Sequence, residues 1–150
     1  MRVEQIMNTN VIYCRTATPV TTVAAMMKEH DVGLIPVLHE DTKFVAGVIT
    51  DRDLCLNVLA AKADAASFLA SQCMNVAIVF CKGDDTIEMA LKKMGEAQVR
   101  RLPVLEKGLL AGIITLGDVI REDAAPPGRT LATLHKIYTP KLVKKSKKAA

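Results

Sequence analysis

The sequence predicts a mixed α/β (α+β) fold, in which two tandem β-α-β-β-α repeats pack on each other about a pseudo-twofold axis. Residues 35–38 (IPVL) return as 102–105 (LPVL), an offset of 67 (103 − 36). Residues 47–53 (GVITDRD) return as 112–118 (GIITLGD) at 65 (115 − 50), so a two-residue deletion falls in the turn between the blocks. Each half of roughly 60 residues would be marginally stable alone, so we expect the two copies to share buried surface.

The first repeat covers residues 1–60, and local patterns predict its elements. Thr18-Pro19 marks a helix start, because threonine can cap a helix and proline fits its first turn. Two apolar runs on either side of the polar segment 39–43 predict a β-hairpin. The predicted elements are a strand at 11–14, a helix from 18, strands at 34–38 and 44–49, and a helix at 50–59.

The second repeat covers residues 71–123 and follows the same order after an Ala-rich linker at 61–70. Its helix start contains Asp84-Asp85-Thr86, in which small polar side chains can cap the first turn. The predicted elements are a strand at 76–80, a helix at 84–94, strands at 102–105 and 109–115, and a helix at 116–123.

The C-terminal tail, residues 124–150, differs from the body in charge. It carries seven basic residues and no acid (+7), which leaves 13 basic and 16 acidic residues (−3) in residues 1–123. Pro126-Pro127-Gly128 is expected to end the body, 130–138 to form a short helix, and Lys-rich 141–150 to be disordered. Such an end is typical of a solubilising tail, and the alternative is salt-dependent binding of nucleic acid or another polyanion.

Composition narrows the class of protein. Half of the residues are apolar, but only 3% are aromatic and tryptophan is absent, which argues against a protein that stacks single-stranded bases. No apolar run reaches the roughly 20 residues of a membrane span, and the N-terminus lacks the layout of a secretory signal. Four cysteines without C-x-x-C spacing and three scattered histidines predict a reduced, cytoplasmic protein without a zinc site. Cys14 and Cys81 hold matching apolar positions and are expected to be buried strand residues.

A Thr-x-x-Asp motif recurs where the last strand of each repeat meets a helix. Thr50 and Asp53 form it in the first copy, and Thr115 and Asp118 form it in the second. Threonine followed three residues later by an acid is a capping-box pattern, which is a structural role. The same helix start offers N–H groups to a phosphate, and an aspartate can accept hydrogen bonds from two neighbouring hydroxyls, as on a ribose. The residues alone leave both interpretations open.

The sequence resembles a tandem pair of CBS domains (cystathionine-β-synthase-type domains, or a Bateman module) over roughly residues 3–122. The resemblance is carried by DVGLIPVL and VAGVITDRDL in the first copy and by QVRRLPVL and LAGIITLGDV in the second. The run at 51–54 (DRDL) is similar to small stand-alone bacterial members. The family implies a regulatory module that binds AMP, ADP, ATP or a related adenosyl compound between the repeats, with no obligatory cofactor. It also implies a homodimer, and an effector protein as the receiver of the signal.

The resemblance assigns roles only to positions that match the family motif. The implied contacts are with ribose hydroxyls for Asp53 and Asp118, with ribose or phosphate for Thr50 and Thr115, with adenine for Val48 and Ile113, and with the border of the pocket for Thr18 and Asp85.

The two clefts differ in charged residues. Arg52 has Gly117 as its counterpart, and Arg101 has Leu34. Arg100 and Arg101 directly precede the apolar strand of the second copy, where they can pair with phosphates bidentately or remain solvated or bridged to surface acids. We therefore expect the clefts to rank AMP-like and ATP-like ligands differently.

The sequence holds none of the P-loop, dinucleotide-binding, nucleophile-elbow or zinc-protease motifs. We therefore expect a protein that is not an enzyme. The expected function is regulatory binding of an adenosine nucleotide. The alternative, from another class, is a structural dimerisation module whose basic tail binds nucleic acid or another polyanion.

Overall fold

The computed structural model describes residues 1–62 and 64–140. A 3₁₀ turn at Val3–Gln5 comes first, and a single π-helical turn at Cys55–Leu59 continues the second helix. The elements in chain order are β1 (Cys14–Arg15), α1 (Val20–Glu29), β2 (Leu34–Leu38), β3 (Val45–Thr50), α2 (Asp51–Leu54), α3 (Ala70–Cys73), α4 (Ile87–Ala97), β4 (Arg101–Glu106), β5 (Leu109–Thr115), α5 (Leu116–Arg121) and α6 (Pro127–Tyr138).

Each copy folds around its own β-hairpin, and the two hairpins have equivalent registers. β2 pairs antiparallel with β3 and β4 with β5, and the registers shift after Val37 and after Val104, respectively. β1 runs parallel to β2, with Cys14 beside Val37. In the second copy Cys81 makes one parallel bridge to Val104 at the equivalent place. The mixed α/β repeat predicted from the sequence is confirmed, with a second lead strand reduced to one bridge.

The lead strands predicted at 11–14 and 76–80 are misplaced. β1 contains only Cys14–Arg15, and residues 76–80 form no strand. Val76 is 69% exposed and Phe80 is 40% exposed, so the apolar run that suggested a buried strand contacts solvent instead. The chain reaches its pairing partner β4 only at Cys81. A short apolar run without alternation does not show whether its residues form a buried strand or contact solvent.

Two helix starts differ from the prediction. Thr18 does not cap α1: the N-cap is Pro19, and Thr18 Oγ1 accepts a hydrogen bond from the Arg15 N–H at 2.9 Å. The tripeptide at 126–128 begins α6 rather than ending the body, because proline at the first helical position has a suitable φ and no N–H to leave unpaired. Thr86 caps α4 as the pattern indicated, accepting from the Met89 N–H at 3.3 Å.

The N-terminal segments of the two copies are exchanged. Asn8 pairs with Ile113 of β5, and its counterpart Asn75 pairs with Val48 of β3. Earlier in the same two segments, Arg2 forms an antiparallel bridge with Thr86 of the second copy, and Leu69 forms one with Pro19 of the first copy. Each hairpin is therefore extended by a segment from the other copy, which is how the copies bury each other's surface.

Each copy has its own cluster of buried apolar side chains, called the first and the second core cluster after the copy that supplies most of it. The second core cluster includes Val3 from the N-terminus, and the first core cluster includes Ala70 and Cys73 from the start of the second copy. Cys14 and Cys81 are buried, as expected, one in each cluster. Burial raises the pKa of both thiols to about 11.

Helix α6 follows the second repeat and packs on α4, with Leu134 and Ile137 against the second core cluster. The short helix predicted at 130–138 is confirmed and begins three residues earlier. The Lys-rich end at 141–150, predicted to be disordered, lies outside the described residues. Within residues 1–62 and 64–140, no helix has both the length and the apolar character that crossing a membrane requires.

Candidate functional site

Both Thr-x-x-Asp motifs form complete capping boxes with matching geometry. Asp53 N–H donates to Thr50 Oγ1 at 3.1 Å, and Asp53 Oδ2 accepts from the Thr50 N–H at 2.8 Å and its hydroxyl at 2.7 Å. Thr115 and Asp118 repeat these three hydrogen bonds at the same distances. The structural role of the motif is therefore fulfilled in both copies, and it holds each carboxylate at the start of a helix.

The outer carboxylate oxygens distinguish the two copies. Asp118 Oδ1 accepts a hydrogen bond from the Arg121 guanidinium, one turn later in α5. The position equivalent to Arg121 in the first copy is Leu56 (121 − 65), which cannot make this bond. Among the described residues, Asp53 Oδ1 accepts no hydrogen bond. Sequence reasoning missed this difference, although the position of Arg121 at an i,i+3 spacing is a readable signal.

A cavity of about 310 Å³, the second cleft, lies beside the motif of the second copy. Ile113, Thr115 and Asp118 line it from β5 and α5. The opposite wall comes from the first copy, so the cleft lies between the repeats. The other lining residues are Asn8, Asn10, Val11, Ile12, His30, Val32, Leu34 and Arg101.

A cavity of about 340 Å³, the first cleft, lies beside the motif of the first copy. Thr50, Asp51 and Arg52 line it, but Asp53 and Val48 do not. The opposite wall comes from the second copy and from the end of α6. The other lining residues are Gly33, Leu34, Gln98, Val99, Arg100, Arg101, Ile137 and Tyr138.

Arg101 and Leu34 line both clefts. The two cavities are therefore neighbours, separated in part by the side chain of one arginine. A methyl group added to Gly33 would lie 2.9 Å from Asp51 Oδ2 and 3.4 Å from Arg101 Nη1, so the acid and the arginine both approach this glycine. Asp51 and Tyr138 were not among the predicted site residues.

The electrostatic character of the clefts differs. The first cleft has three arginines, Arg52, Arg100 and Arg101, and one acid, Asp51. The second cleft has Arg101 and one acid, Asp118, which already pairs with a guanidinium. The first cleft is thus the more cationic, and Coulomb attraction favours the more highly charged anion there.

Two predicted border residues, Thr18 and Asp85, lie outside both clefts. They hold equivalent turns: Asp85 Oδ2 accepts from the Lys82 N–H at 3.0 Å, as Thr18 does from the Arg15 N–H. Although partial burial raises the pKa of Asp85, its hydrogen bond and ion pair with Lys93 and the Lys82 N–H outweigh burial and hold that pKa below its usual value. In this arrangement both side chains act within the fold.

Within residues 1–62 and 64–140, no three side chains of His, Cys, Asp or Glu lie close enough together to hold a metal ion.

Comparisons with known proteins identify the repeat. The model of the CBS domain matches residues 3–60 and 70–125. The chain is 34% identical over 118 residues to the uncharacterized protein YlbB of Bacillus subtilis, covering 79% of each chain. It is also 34% identical over 116 residues to hypoxic response protein 1 of Mycobacterium tuberculosis, covering 77% of this chain and 80% of that protein.

Solved structures give the same fold. The crystal structure of Hypoxic Response Protein I with two coordinated zinc ions has a TM-score of 0.75 at 32% identity, covering 84% of this chain and 100% of that one. The crystal structure of CBSX2 in complex with AMP has a TM-score of 0.71 at 25% identity, covering 81% of this chain and 95% of that one. The chain therefore belongs to the CBS-domain family and carries two CBS domains in tandem.

Proposed function

We propose that this chain is a regulatory module that binds an adenosine nucleotide (AMP, ADP or ATP) or a related adenosyl compound in the clefts between its two CBS domains. The observation that carries the proposal is the second cleft, where a capped Thr115–Asp118 pair, the apolar Ile113 and Arg101 surround one cavity. The AMP complex of CBSX2 supports it as a structural relative with a bound adenine nucleotide.

The proposed roles follow from the chemistry of each group. Ile113 and Val32 offer apolar surface for a base, and Arg101 offers a guanidinium for a phosphate. Asp118 can accept hydrogen bonds from two ribose hydroxyls only if one of its oxygens exchanges a present partner. The partner that exchanges most readily is Arg121, whose side chain is 67% exposed, whereas the cap is part of the helix start.

The same roles are proposed for the first cleft with some differences. Thr50 lines the cavity, and Arg52, Arg100 and Arg101 provide the phosphate contacts. Neither Asp53 nor Val48 lines this cavity, so a contact of Asp53 with a ribose or of Val48 with a base requires the cleft to rearrange.

A ligand between the two domains can act as a signal because it contacts both. It shifts the packing of one domain on the other only to the extent that it binds the two arrangements with different affinity. We assign no catalytic step to either cleft.

The test is a thermal-shift and calorimetry panel of AMP, ADP, ATP, S-adenosylmethionine and NAD. A ligand that binds the folded chain raises its melting temperature by mass action. In Thr115→Ala/Asp118→Ala we expect affinity at the second cleft to fall by about tenfold or more, because a charge-assisted hydrogen bond contributes roughly 1.5–3 kcal/mol.

Thr86→Ala is the matched control, because Thr86 caps α4 and lines neither cleft. Loss of a cap alone costs about 1 kcal/mol of stability. We expect this variant to melt lower and to keep native affinity. Equal affinity in the double variant and in the native chain would remove the second cleft as the site.

We also propose that the chain forms a homodimer. Ile120 on α5 and Leu131 on α6 are both more than half exposed. An apolar groove of about 460 Å³ lies between α5 and α6. A second copy would bury this surface. Light scattering after size exclusion should give twice the chain mass, and Ile120→Lys should reduce it, whereas a monomer at all concentrations would contradict the proposal.

The alternative function, a dimerisation module with a polyanion-binding tail, depends on the lysines at 141–150, which lie outside the described residues. Deletion of 141–150, which keeps the Thr139 carbonyl bonded to Gln98, separates the two functions. Unchanged nucleotide affinity together with loss of salt-dependent nucleic-acid binding would favour the alternative role for the tail, whereas loss of nucleotide affinity would argue against the clefts.

A further inference from the structure

Helix α6 lies outside the matched CBS domains, and the first copy offers no position that could hold an equivalent helix. Gly95 of α4 lets the Lys136 side chain approach so closely that a methyl group there would lie 3.1 Å from Lys136 Cδ. The corresponding residue in α1 is Lys28 (95 − 67), whose side chain would occupy that space. Within residues 1–62 and 64–140, such a helix is therefore present on the second domain alone, and it breaks the symmetry of the two clefts.

The C-terminal end of α6 is fixed at the end of α4. Gln98 Nε2 donates hydrogen bonds to the carbonyls of Lys136, at 3.0 Å, and Thr139, at 2.5 Å. Ile137 packs against the second core cluster. The counterpart of Gln98 is Asp31 (98 − 67), which has no N–H to donate from its side chain. These contacts place the last turn of α6 beside the first cleft.

The last carbonyls of a helix carry partial negative charge, which would repel a phosphate. Because Gln98 donates to two of these carbonyls, part of that charge is satisfied within the protein. The end of α6 then presents the Tyr138 hydroxyl, which lies 3.4 Å from Arg100 Nη1 and lines the first cleft. A phenol hydroxyl can donate to a phosphate oxygen.

The arginines around this cleft lack acidic partners. Among the described residues, no carboxylate lies within 4.0 Å of the guanidinium of Arg52, Arg100 or Arg101. The ion pairs in that part of the chain are made by Lys92, Lys93 and Arg121 instead. Asp51 is the one carboxylate among the described residues that line the cavity with these three guanidinium groups, so the lining keeps a net positive charge that a bound anion would neutralise. An anion that spans several of the guanidinium groups needs several charged groups, as a di- or triphosphate has.

Resting on the proposed function, we propose that the end of α6 forms the phosphate wall of the first cleft. Tyr138, with Arg100, binds the outer phosphates of a nucleoside di- or triphosphate there. The second cleft, which α6 does not reach, has a single arginine and suits a monophosphate or an uncharged adenosyl group. Tyr138 then adds, to the larger number of arginines, a phosphate contact that the lining of the second cleft does not include.

The test compares Tyr138→Phe and Tyr138→Ala with the native chain by calorimetry with AMP, ADP and ATP. We expect each variant to weaken ADP and ATP binding at the first cleft by about tenfold, the loss of one hydrogen bond to a charged group. AMP binding at the second cleft should not change. Gln98→Ala releases the end of α6 without changing the Tyr138 side chain itself, and it should give the same selective loss.

Tyr13→Phe is the matched control, because Tyr13 is the other tyrosine of the chain and lines neither cleft. Its affinity for all three nucleotides should remain native. Thermal unfolding of each variant distinguishes a contact with the ligand from a loss of folding: the Tyr138→Phe variant is expected to melt as the native chain does.

Inorganic tripolyphosphate serves as a probe that carries no adenosine. If the native chain binds tripolyphosphate and the Tyr138→Phe variant binds it more weakly, the phosphate wall is supported even if no nucleotide binds and the proposed function fails. If the Tyr138 and Gln98 variants bind ATP and tripolyphosphate as tightly as the native chain does, the inference is overturned and the proposed function is left intact.

Discussion

Asp53 and Asp118 occupy the same position in their repeats, but their outer oxygens face different neighbours. Asp118 Oδ1 is held by Arg121, whereas Leu56 occupies the corresponding position beside Asp53. For two ribose hydroxyls to bind Asp118, one of its present partners must leave, and the exposed guanidinium of Arg121 is the one that exchanges most readily. The pairing of Arg121 with Asp118 competes with the proposed ligand.

Replacement of Arg121 tests this competition. Arg121→Leu installs the residue of the first copy, and we expect the affinity of the second cleft for AMP to rise severalfold. Stability should change by only about 1 kcal/mol, since the guanidinium is 67% exposed and the buried Asp118 carboxylate keeps its two hydrogen bonds from Thr115. Leu56→Arg is the converse change, and calorimetry should show a weaker first cleft. A lower AMP affinity in Arg121→Leu would mean that Arg121 itself contacts the ligand.

The buried cysteines predict a loss of stability in alkali. Burial raises the pKa of Cys14 and Cys81 from an ordinary value of 9.0 to about 11, because a thiolate is poorly solvated inside the core. Above about pH 9 the unfolded chain releases protons that the folded chain retains. Their contribution is therefore complete below pH 9 and is lost as the pH rises toward 11. Urea unfolding measured from pH 9 to pH 11 should show a smaller decline in the free energy of unfolding for Cys14→Ala/Cys81→Ala than for the native chain. The same decline in both proteins would contradict this prediction.

At the scale of elements, the exchanged segments depend on two glycines. A methyl group on Gly47 would lie 2.7 Å from the Asn75 carbonyl oxygen and 2.9 Å from Met74 Sδ. One on Gly112 would lie 2.7 Å from Met7 Sδ and 3.0 Å from the Asn8 carbonyl oxygen. Only glycine lets the segment from the other copy approach each hairpin this closely.

We therefore expect Gly47→Ala and Gly112→Ala each to lower the free energy of unfolding by about 1–3 kcal/mol, the usual range for overpacking. Gly128→Ala is the matched control, because its added methyl meets no atom within 4 Å and lies in helix α6. It should be neutral or stabilising by up to about 1 kcal/mol. Similar melting temperatures for all three variants would show that the segments cross without close contact.

The sequence predicted those elements whose signals are local. The hairpins and the Thr-x-x-Asp caps follow from apolar runs, turns and one-turn spacings, and the structure places them where the pattern indicated. The sequence could not predict the exchange of segments. The two segments have similar sequences, so the pattern is the same whether each segment joins its own hairpin or that of the other copy. The prediction of a lead strand at 76–80 was wrong for a related reason, since the apolar character of a segment does not show which of its residues pairs with a neighbouring strand.

The candidate site was predicted in part. Of the eleven residues named from sequence, Thr50, Arg52, Arg100, Arg101, Ile113, Thr115 and Asp118 line a cleft. Tyr138 was missed because it lies outside the repeat and has no counterpart to compare. Its position depends on contacts between α6 and α4, which no local pattern reports.

At the scale of the whole molecule, the two clefts lie side by side between the domains and share Arg101. A phosphate held by Arg101 in one cleft makes that guanidinium less available to the other. Two anionic ligands should therefore bind with negative coupling, which is reciprocal between the sites. We expect calorimetry of Arg101→Ala to show weaker binding at both clefts and independent binding isotherms. Loss at one cleft alone would show that Arg101 serves only that site.

Whether an adenosine nucleotide binds between the two CBS domains is tested most sharply by a crystal structure of the chain grown with saturating AMP. We expect the base beside Ile113, with a ribose hydroxyl within hydrogen-bond distance of Asp118. AMP found away from both clefts, or clefts that remain empty at saturation, would rule out the proposed binding site.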